Sequence, residues 1–161
     1  RSRRQRQMCI RDSSEGVFVG YRWYVANNQI PLFPFGYGLS YTTFAYGTPR
    51  LYKTSGAKNA PIKVTFTVTN TGKRAGATVP QIYIGKPSQQ GIPVPPKELA
   101  GFRKIYLCPG ETKTVTITVE PRQLAYWNTQ ADRFVVMPGL YRIYLGSNVN
   151  NTPSMVTYTV R

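Results

Sequence analysis

The stretch IKVTFTVTN, residues 62–70, alternates apolar and polar side chains over its whole length. Its two faces consist of Ile62, Val64, Phe66 and Val68 on one side, and of Lys63, Thr65, Thr67 and Thr69 on the other. Successive side chains of a β-strand point to opposite sides, so this pattern predicts an antiparallel strand with one buried face. The stretch TKTVTITVE, residues 112–120, repeats the alternation and predicts a second such strand, with Val115, Ile117 and Val119 facing inward.

Further short strand patterns, separated by turn signals such as the Pro-Gly pair at 109–110, occur along the rest of the chain. About seven short strands of this kind predict a mainly β fold, an antiparallel β-sandwich of the immunoglobulin or fibronectin type III kind. The Cys…Trp…Cys spacing of true immunoglobulin domains is missing. Within ATVPQIYIGKP, residues 77–87, Pro80 predicts a bulge or an edge position. Pro121 suits the first turn of a short helix in PRQLAYWN, residues 121–128.

The composition excludes several kinds of site. A chain of 161 residues has room for one domain with a short extension, and it can bury a core without metal or disulfide support. It contains no histidine, which removes Ser-His-Asp and Cys-His arrangements and every histidine-based metal site. The two cysteines, Cys9 and Cys108, form no CxxC pair, so we predict no metal site. A Cys9–Cys108 disulfide is one alternative, and a lone buried thiol at Cys108 is the favoured expectation.

Carboxylates are scarce outside the first thirteen residues. They are Glu15, Glu98, Glu111, Glu120 and Asp132. A glycosidase needs two facing carboxylates, about 5–5.5 Å apart for retention or about 6.5–9.5 Å for inversion. These residues lie at strand starts, strand ends and turns, which predicts that each is exposed to solvent. No GxSxG, phosphate-binding or EF-hand pattern is present, so we predict no catalytic, cofactor-binding or metal-binding residue in this chain.

The net charge of +15 raises the question of nucleic acid binding. Five arginines and one aspartate in residues 1–13 account for +4 of it. Residues 3–13 resemble the in-frame translation of a sequencing adapter, so residues 1–13 are interpreted as an artefact or a disordered leader. A basic arm that binds phosphates is the alternative. The remaining cations are scattered and form no basic stripe or recognition helix, so we predict no nucleic acid partner. The sequence has no apolar run long enough to span a bilayer and no signal peptide pattern, so we predict no membrane partner.

Two segments precede the regular strand patterns. EGVFVGYRWY, residues 15–24, is apolar and rich in β-formers, which predicts an interior strand or its end. PLFPFGYGLSYTTF, residues 31–44, holds too many prolines and glycines for a helix or a regular central strand. Two functions stay open for it: a ligand loop whose aromatic rings stack on sugars, or a joint whose aromatic rings pack between two domains. The packing interpretation is favoured for the aromatic residues Trp23, Tyr24, Phe33, Phe35, Tyr37, Tyr41 and Phe44.

Several motifs occur together in one order. They are EGVFVGYRWYVANNQIPLFPFGYGLSYTTF, VTFTVTNTGKRAGATVPQIYIG, PPKELAGFRKIYLCPGETKTVTITV, LAYWN and PGLYRIYLGS. From residue 15 to residue 161 this series resembles the C-terminal end of glycoside hydrolase family 3 β-glucosidases. The resemblance implies that residues 14–46 are an extended segment, the terminal strand and linker of a truncated α/β sandwich domain, and that residues 47–161 form a fibronectin type III-like domain. The family usually has Asp directly after its YR[WY]Y element, where this chain has Val25.

The resemblance also implies where the chemistry lies. Family 3 enzymes carry a nucleophilic Asp in a (β/α)-barrel domain and an acid/base Glu in an α/β sandwich domain, and neither can be matched to a residue of this chain. We therefore expect a non-catalytic fragment, inactive alone, whose partners are the catalytic domains of a parent that hydrolyses terminal β-D-glucosidic bonds with retention. The alternative is a stand-alone fibronectin type III-like module that binds carbohydrate or protein, and a nucleic acid binder rests on charge alone. A periplasmic or secreted parent is favoured over a cytoplasmic one.

Overall fold

The computed structural model describes residues 16–88 and 91–161. The expectations for residues 1–13, and the candidate residues Cys9 and Glu15, lie outside the described residues. None of the helices in the two described ranges is long and apolar enough to cross a membrane.

Strands and loops make up most of the described chain. The helices are α1 (Tyr21–Ala26) and α2 (Pro121–Leu124). The strands are β1 (Phe44–Tyr46), β2 (Arg50–Leu51), β3 (Ser55–Gly56), β4 (Ile62–Asn70), β5 (Gly76–Thr78), β6 (Gln81–Gly85), β7 (Glu98–Phe102), β8 (Ile105–Leu107), β9 (Thr112–Val119), β10 (Ala125–Asn128), β11 (Arg133–Val136), β12 (Gly139–Gly146) and β13 (Ser154–Val160). The predicted mainly β class is confirmed, although the strands are shorter and more numerous than the sequence indicated.

Two sheets pack against each other as a sandwich. In the first sheet β4 lies between β9 on one side and the short strands β1 and β2 on the other, and all these pairings are antiparallel. The second sheet has the order β3-β13-β12-β6-β7, in which β3 runs parallel to β13 and the other neighbours are antiparallel. The predicted antiparallel β-sandwich is therefore confirmed.

The core lies between these sheets. The apolar side chains predicted to face inward on β4 and β9 are all at most 5% exposed. β12 and β13 close the core from the opposite sheet with residues such as Ile143, Leu145 and Tyr158. Each fully buried aliphatic or aromatic side chain of this kind contributes about 1.5–3 kcal/mol. The alternation in residues 62–70 and 112–120 thus accounts for one complete side of the core.

Pro80 divides residues 77–87 into two strands. β5 pairs with β8 in a small separate sheet, whereas β6 pairs with β12 and β7 in the second sheet. Proline has no N–H to donate to a strand ladder, so the pairing stops at this residue. The expectation of a bulge or edge position at Pro80 is wrong. A register shift typical of a bulge instead falls two residues later, between Ile82 and Tyr83.

The predicted strand at residues 15–24 is also wrong, because the chain forms α1 from Tyr21 onward. Gly16 and Gly20 have φ values of +55° and +63°, a backbone conformation that favours glycine and interrupts an extended run. The Gly20 carbonyl accepts the first helical hydrogen bond, from the Trp23 N–H at 3.1 Å. A helix of six residues is unstable alone. Contacts of α1 with the sandwich therefore outweigh the β preference of its residues.

The predicted helical turn after Pro121 is confirmed as α2. Pro121 lies in its first turn, where the missing N–H has no helical partner in any case. The Gln123 side-chain oxygen accepts a hydrogen bond from the Glu120 N–H at 2.6 Å. This local bond fixes the start of the helix and hence the direction in which the chain leaves β9.

Candidate functional site

Residues 30–42, called the joint below, lie beside β6 without regular secondary structure. The Nε2 of Gln81 donates to the Gly36 carbonyl at 3.0 Å. The Phe35 carbonyl accepts from the Val149 N–H at 3.0 Å, and the Tyr83 hydroxyl donates to the Oε1 of Gln81. The bonds to Phe35 and Gly36 hold the middle of the joint on the sandwich through its main chain.

Tyr83 lies on the outer face of β6 and is nevertheless fully buried. Its neighbours Ile82 and Ile84 point into the core, so alternation alone would place Tyr83 in solvent. Tyr21 of α1 and Phe35 of the joint stack with their ring centroids 4.2 Å apart, and Tyr21 meets Tyr83 edge-on at 6.5 Å. Burial raises the pKa of Tyr83, with nearby Tyr21 a smaller cause. The hydroxyl of Tyr83 therefore remains a hydrogen-bond donor over the whole physiological range.

Gly36 meets two requirements at the contact between the joint and β6. Its φ of +82° lies in the left-handed region that favours glycine. A Cβ at this position would lie 2.1 Å from the Oε1 of Gln81, which is far too close. The glycine is therefore needed both for the turn of the chain and for the approach of the Gln81 amide.

A largely buried ion group joins α1 to the second sheet. Glu98 pairs with the Nε of Arg22 at 3.3 Å and with the Nζ of Lys86 at 2.6 Å, and these three side chains are 16%, 37% and 8% exposed. Lys86 also donates to the Ala125 carbonyl at 2.6 Å. The expectation that Glu98 is exposed is wrong. The helix α1, which the sequence did not predict, covers this end of β7 and supplies Arg22.

The side chains of the joint form a row of exposed apolar groups, called the apolar row below. They are Ile30 at 85%, Leu32 at 87%, Phe33 at 67%, Leu39 at 87% and Tyr41 at 92% exposed. Single exposed apolar residues are common on protein surfaces, whereas a group of them on one short segment is typical of an interaction surface. The main chain is hydrogen-bonded to the sandwich at Phe35 and Gly36, so the middle of the row is anchored to it.

A groove of about 690 Å³ lies beside the joint, bordered by β1, β5 and the loop after β12. Among the described residues that line it, the ionisable groups are the hydroxyls of Tyr37 and Tyr46. Burial raises the pKa of Tyr46, whose hydroxyl shares a hydrogen bond of 2.8 Å with Thr78. The Tyr46 phenol therefore keeps its proton near neutral pH. This groove can receive a side chain or a neutral polar ligand.

The other candidate carboxylates do not form a site. The Cys108 N–H and, to a smaller extent, Lys113 lower the pKa of Glu111, with the Cys108 nitrogen 2.7 Å from its carboxylate. Glu120 and Asp132 are exposed as predicted. Within residues 16–88 and 91–161, no three acidic or cysteine side chains are grouped closely enough to hold a metal ion.

The expectation of a buried thiol at Cys108 is wrong, because this residue is exposed. Leu107 at the end of β8 points into the core, and the next side chain along the strand therefore points outward. The thiol consequently lies on the surface of a turn.

Comparison with known proteins places this arrangement in a family. The family model "Fibronectin type III-like domain" matches residues 78–149. The crystal structure of a GH3 β-glucosidase from Bifidobacterium adolescentis aligns with a TM-score of 0.84 and 37% identity, over 91% of this chain and 21% of that one. The chain corresponds to the C-terminal part of glycoside hydrolase family 3 β-glucosidases. DesR, a β-glucosidase from Streptomyces venezuelae solved with D-glucose, aligns with this chain with the same TM-score of 0.84, at 40% identity and with coverage of 91% and 18%.

Curated β-glucosidase relatives are much longer than this chain. Thermostable β-glucosidase B of Acetivibrio thermocellus is 46% identical over 132 residues, which are 82% of this chain and 17% of that protein. β-Glucosidase B of Emericella nidulans is 44% identical over 146 residues, 88% of this chain and 17% of that protein. The chain thus spans about a fifth of the length of these relatives and corresponds to their C-terminal part. The resemblance inferred from the motifs is confirmed.

Sequence reasoning missed two residues of this site, Gln81 and Tyr83, and it predicted the burial of Glu98 wrongly. One signal could have indicated both missed residues, because QIYIG, residues 81–85, lacks the alternation of a half-exposed strand. All five of its residues are buried. Val25, in place of the family's usual Asp, lies half-buried on α1, and nothing in the structure accounts for the exchange.

Proposed function

We propose that this chain is the docking module of a larger family 3 glycoside hydrolase, and that the apolar row is the surface on which its catalytic domains pack. The apolar row is the observation that carries this proposal. Its side chains are apolar, exposed and attached to a fixed backbone. Fully burying one such side chain against a partner contributes about 1.5–3 kcal/mol, so a few of them can hold a module in place.

The groove beside the joint supports the same proposal. It lies next to Leu39 of the apolar row and is lined mostly by small, hydroxyl and amide side chains. A protruding side chain of a neighbouring domain could occupy it without leaving a charge buried. Docking would then combine an apolar contact with a shape-specific one.

The proposed activity of the whole enzyme is hydrolysis of terminal β-D-glucosidic bonds with retention, through a nucleophilic carboxylate and an acid/base carboxylate. We expect this chain to supply neither. Glu98 is held between two cations and Glu111 is paired with Lys113, so neither is free to attack or protonate a glycoside. The β-glucoside therefore reaches this module only through the catalytic domains.

Two further proposals concern the limits of the domain. The fibronectin type III-like domain occupies residues 47–161, and residues 14–46 belong to the preceding α/β sandwich domain and its linker. The bonds from Gln81 and Val149 to the joint indicate that this linker moves as one body with the sandwich. Any flexible boundary between the two domains is therefore expected before Tyr21 and not within the joint.

A chimeric enzyme tests the docking proposal. Residues 16–161 replace the matching part of Acetivibrio thermocellus β-glucosidase B, and hydrolysis of an aryl β-glucoside and the Tm are measured. We expect an active chimera, and we expect the double variant Leu39→Ser/Tyr41→Ser to lower its Tm and activity together. Tyr52→Ser is the matched control, since Tyr52 is equally exposed but lies outside the joint. A double variant that behaves like this control would overturn the proposal.

The purified chain alone provides the complementary test. We expect no hydrolysis of aryl β-glucosides and no calorimetric binding of cello-oligosaccharides. Hydrolysis would show that the chain contains its own catalytic carboxylates. A clear binding isotherm that the double variant abolishes would identify the apolar row as a carbohydrate-binding surface instead.

A further inference from the structure

A second groove, called the end groove below, opens at the other end of the sandwich. It has a volume of about 410 Å³ and lies where β3, the start of β4 and the end of β13 meet. β4 begins beside it at Ile62 and ends at Asn70, which accepts a hydrogen bond from Thr42 of the joint. Eight residue steps along a strand separate the two ends by about 25 Å. The proposed docking function therefore assigns no role to the end groove.

Tyr158 places a hydroxyl at the base of the end groove. Its ring belongs to the core and the residue is 3% exposed, yet it is one of the residues that line the groove. Tyr141, another core tyrosine, donates its hydroxyl to the Met137 carbonyl at 2.8 Å. Within the described part of the chain, the Tyr158 hydroxyl has no such protein partner. A buried phenol whose hydroxyl opens into a cavity leaves a hydrogen-bond donor available to a ligand.

Gly56 provides the space for this hydroxyl. A Cβ at Gly56 would lie 2.1 Å from the Tyr158 Oη, so any other residue would displace the phenol from the groove. Gly56 pairs with Val160 on β13, and its carbonyl accepts a hydrogen bond from the Arg161 N–H at 3.0 Å. The position of the glycine is therefore fixed by strand pairing, and the opening above Tyr158 is part of the fold.

The lining of the end groove is positively charged. Lys53 and Lys63 both contribute to it, and Ser55 and Tyr52 add further hydroxyls. No carboxylate is among the described lining residues. Glu120 follows Val119, the strand partner of Ile62, and so lies at the same end of the sandwich, but it does not line the groove. Two lysines and a phenol hydroxyl in the lining of one groove match a ligand with anionic oxygen atoms.

We propose that the end groove binds a small organic anion through a carboxylate or phosphate group. Tyr158 donates a hydrogen bond to an anionic oxygen, and Lys53 and Lys63 balance its charge. The volume is sufficient for a ligand the size of one sugar ring, and the exposed ring of Tyr52 offers an apolar surface at the rim. The proposal is independent of the docking function and of the activity of any larger enzyme.

Titration of the whole chain by NMR at low salt tests this assignment. The probes are glucuronate for a carboxylate and glucose 6-phosphate for a phosphate, and glucose is the neutral control. We expect saturable shifts of the amide signals of residues 53–63 and 158–160 with at least one anion, and none with glucose. Whichever anion binds more tightly identifies the charged group. An equal response to glucose, or no saturable shift with either anion, would overturn the proposal.

Three variants separate a specific site from general attraction to a basic protein. Tyr158→Phe keeps the ring in the core and removes only the hydroxyl, and we expect about a fivefold weaker affinity. Lys53→Gln/Lys63→Gln changes two exposed side chains and should abolish the saturable shifts without unfolding the chain. Lys73→Gln removes an equally exposed lysine at the far end of β4 and should leave the affinity unchanged. If all three variants bind as the original chain does, the anions bind adventitiously and the site does not exist.

Discussion

The side chain of Gln81 donates a hydrogen bond to the Gly36 carbonyl, 3.0 Å away, and so joins β6 to the joint. The same buried amide nitrogen donates to the Ser147 carbonyl at 2.8 Å. Both acceptors are main-chain atoms, and both belong to segments without a strand partner at that point. One amide thus fixes the backbone beneath the apolar row relative to the sandwich.

Gln81→Leu tests the importance of this amide. Leucine has nearly the same volume but donates no hydrogen bond, so the Gly36 and Ser147 carbonyls lose a partner in a buried place. We expect the free energy of unfolding in urea to fall by about 2–3 kcal/mol. Gln130→Leu, in an exposed turn, is the control and should change it by less than about 0.5 kcal/mol. Equal effects of the two changes would mean that the joint is not held by this amide.

Glu98→Gln is expected to lower the free energy of unfolding more than Arg22→Gln does. Lys86 is 8% exposed and would lose its carboxylate partner, which costs about 3 kcal/mol in free energy of unfolding. Arg22→Gln should cost at most about 1 kcal/mol, because Arg22 is partly solvated and Lys86 still neutralises Glu98. Chemical denaturation of the three proteins measures both values.

The exposed pair of Glu111 and Lys113 serves as the control for this ion group. Solvent screens that pair, so Glu111→Gln should shift the urea midpoint much less than Glu98→Gln does. If the two carboxylate changes shift the midpoint equally, α1 does not cover Glu98 in solution.

The parts of the fold that depend on local pattern could be predicted from the sequence. The alternation of β4 and β9 and the proline at the start of α2 act within a few residues, so they identify strands and a helix start directly. The burial of Tyr83 and Glu98 could not be predicted in this way. It depends on α1 and the joint, which precede β6 by some forty to sixty residues and cover its outer face only after folding.

The joint itself was interpreted correctly as an irregular segment, but its attachment was not foreseen. Pro and Gly content indicates where regular structure ends, and it contains no information about which sheet face receives the chain. That information lies in Gln81, whose polar side chain occurs in an otherwise apolar strand. A polar residue that is buried in a strand needs a partner from outside the sheet, and here the partner is Gly36.

Stability should decline at alkaline pH because of buried tyrosines. Burial raises the pKa of Tyr141 to about 12. A folded-state pKa above the unfolded value of about 10 means that the folded protein holds the proton more tightly. This contribution is fully present below pH 10 and is lost as the pH rises towards 12, with about 1 kcal/mol lost by pH 11.

Tyr141→Phe isolates this contribution. The variant lacks the titrating group, so its free energy of unfolding should fall less between pH 8 and pH 11 than that of the original chain. It also lacks one hydrogen bond, which lowers its stability by about 1 kcal/mol at every pH. Urea unfolding curves at both pH values measure the difference, and identical pH slopes for the two proteins would contradict the assignment.

The thiol of Cys108 should react in the folded protein. Since the residue is exposed, a disulfide reagent such as dithiobis(nitrobenzoate) is expected to modify it at the same stoichiometry with and without denaturant. A Cys9→Ser background removes the second cysteine of the chain from the measurement. Reaction that begins only after denaturant is added would show that the thiol is buried.

The apolar row should affect the surface of the isolated chain and not its stability. Leu39 and Tyr41 lose almost no exposed area on folding, so Leu39→Ser/Tyr41→Ser is expected to leave the free energy of unfolding within about 0.5 kcal/mol of the original. The same change should reduce binding of a hydrophobic dye and self-association in light scattering, because it removes two of the most exposed apolar side chains of the row. Tyr52→Ser, which lies outside the joint, should change the dye binding less. A marked loss of stability in the double variant would mean that the row packs against the chain itself and is not a free surface on which the catalytic domains can dock.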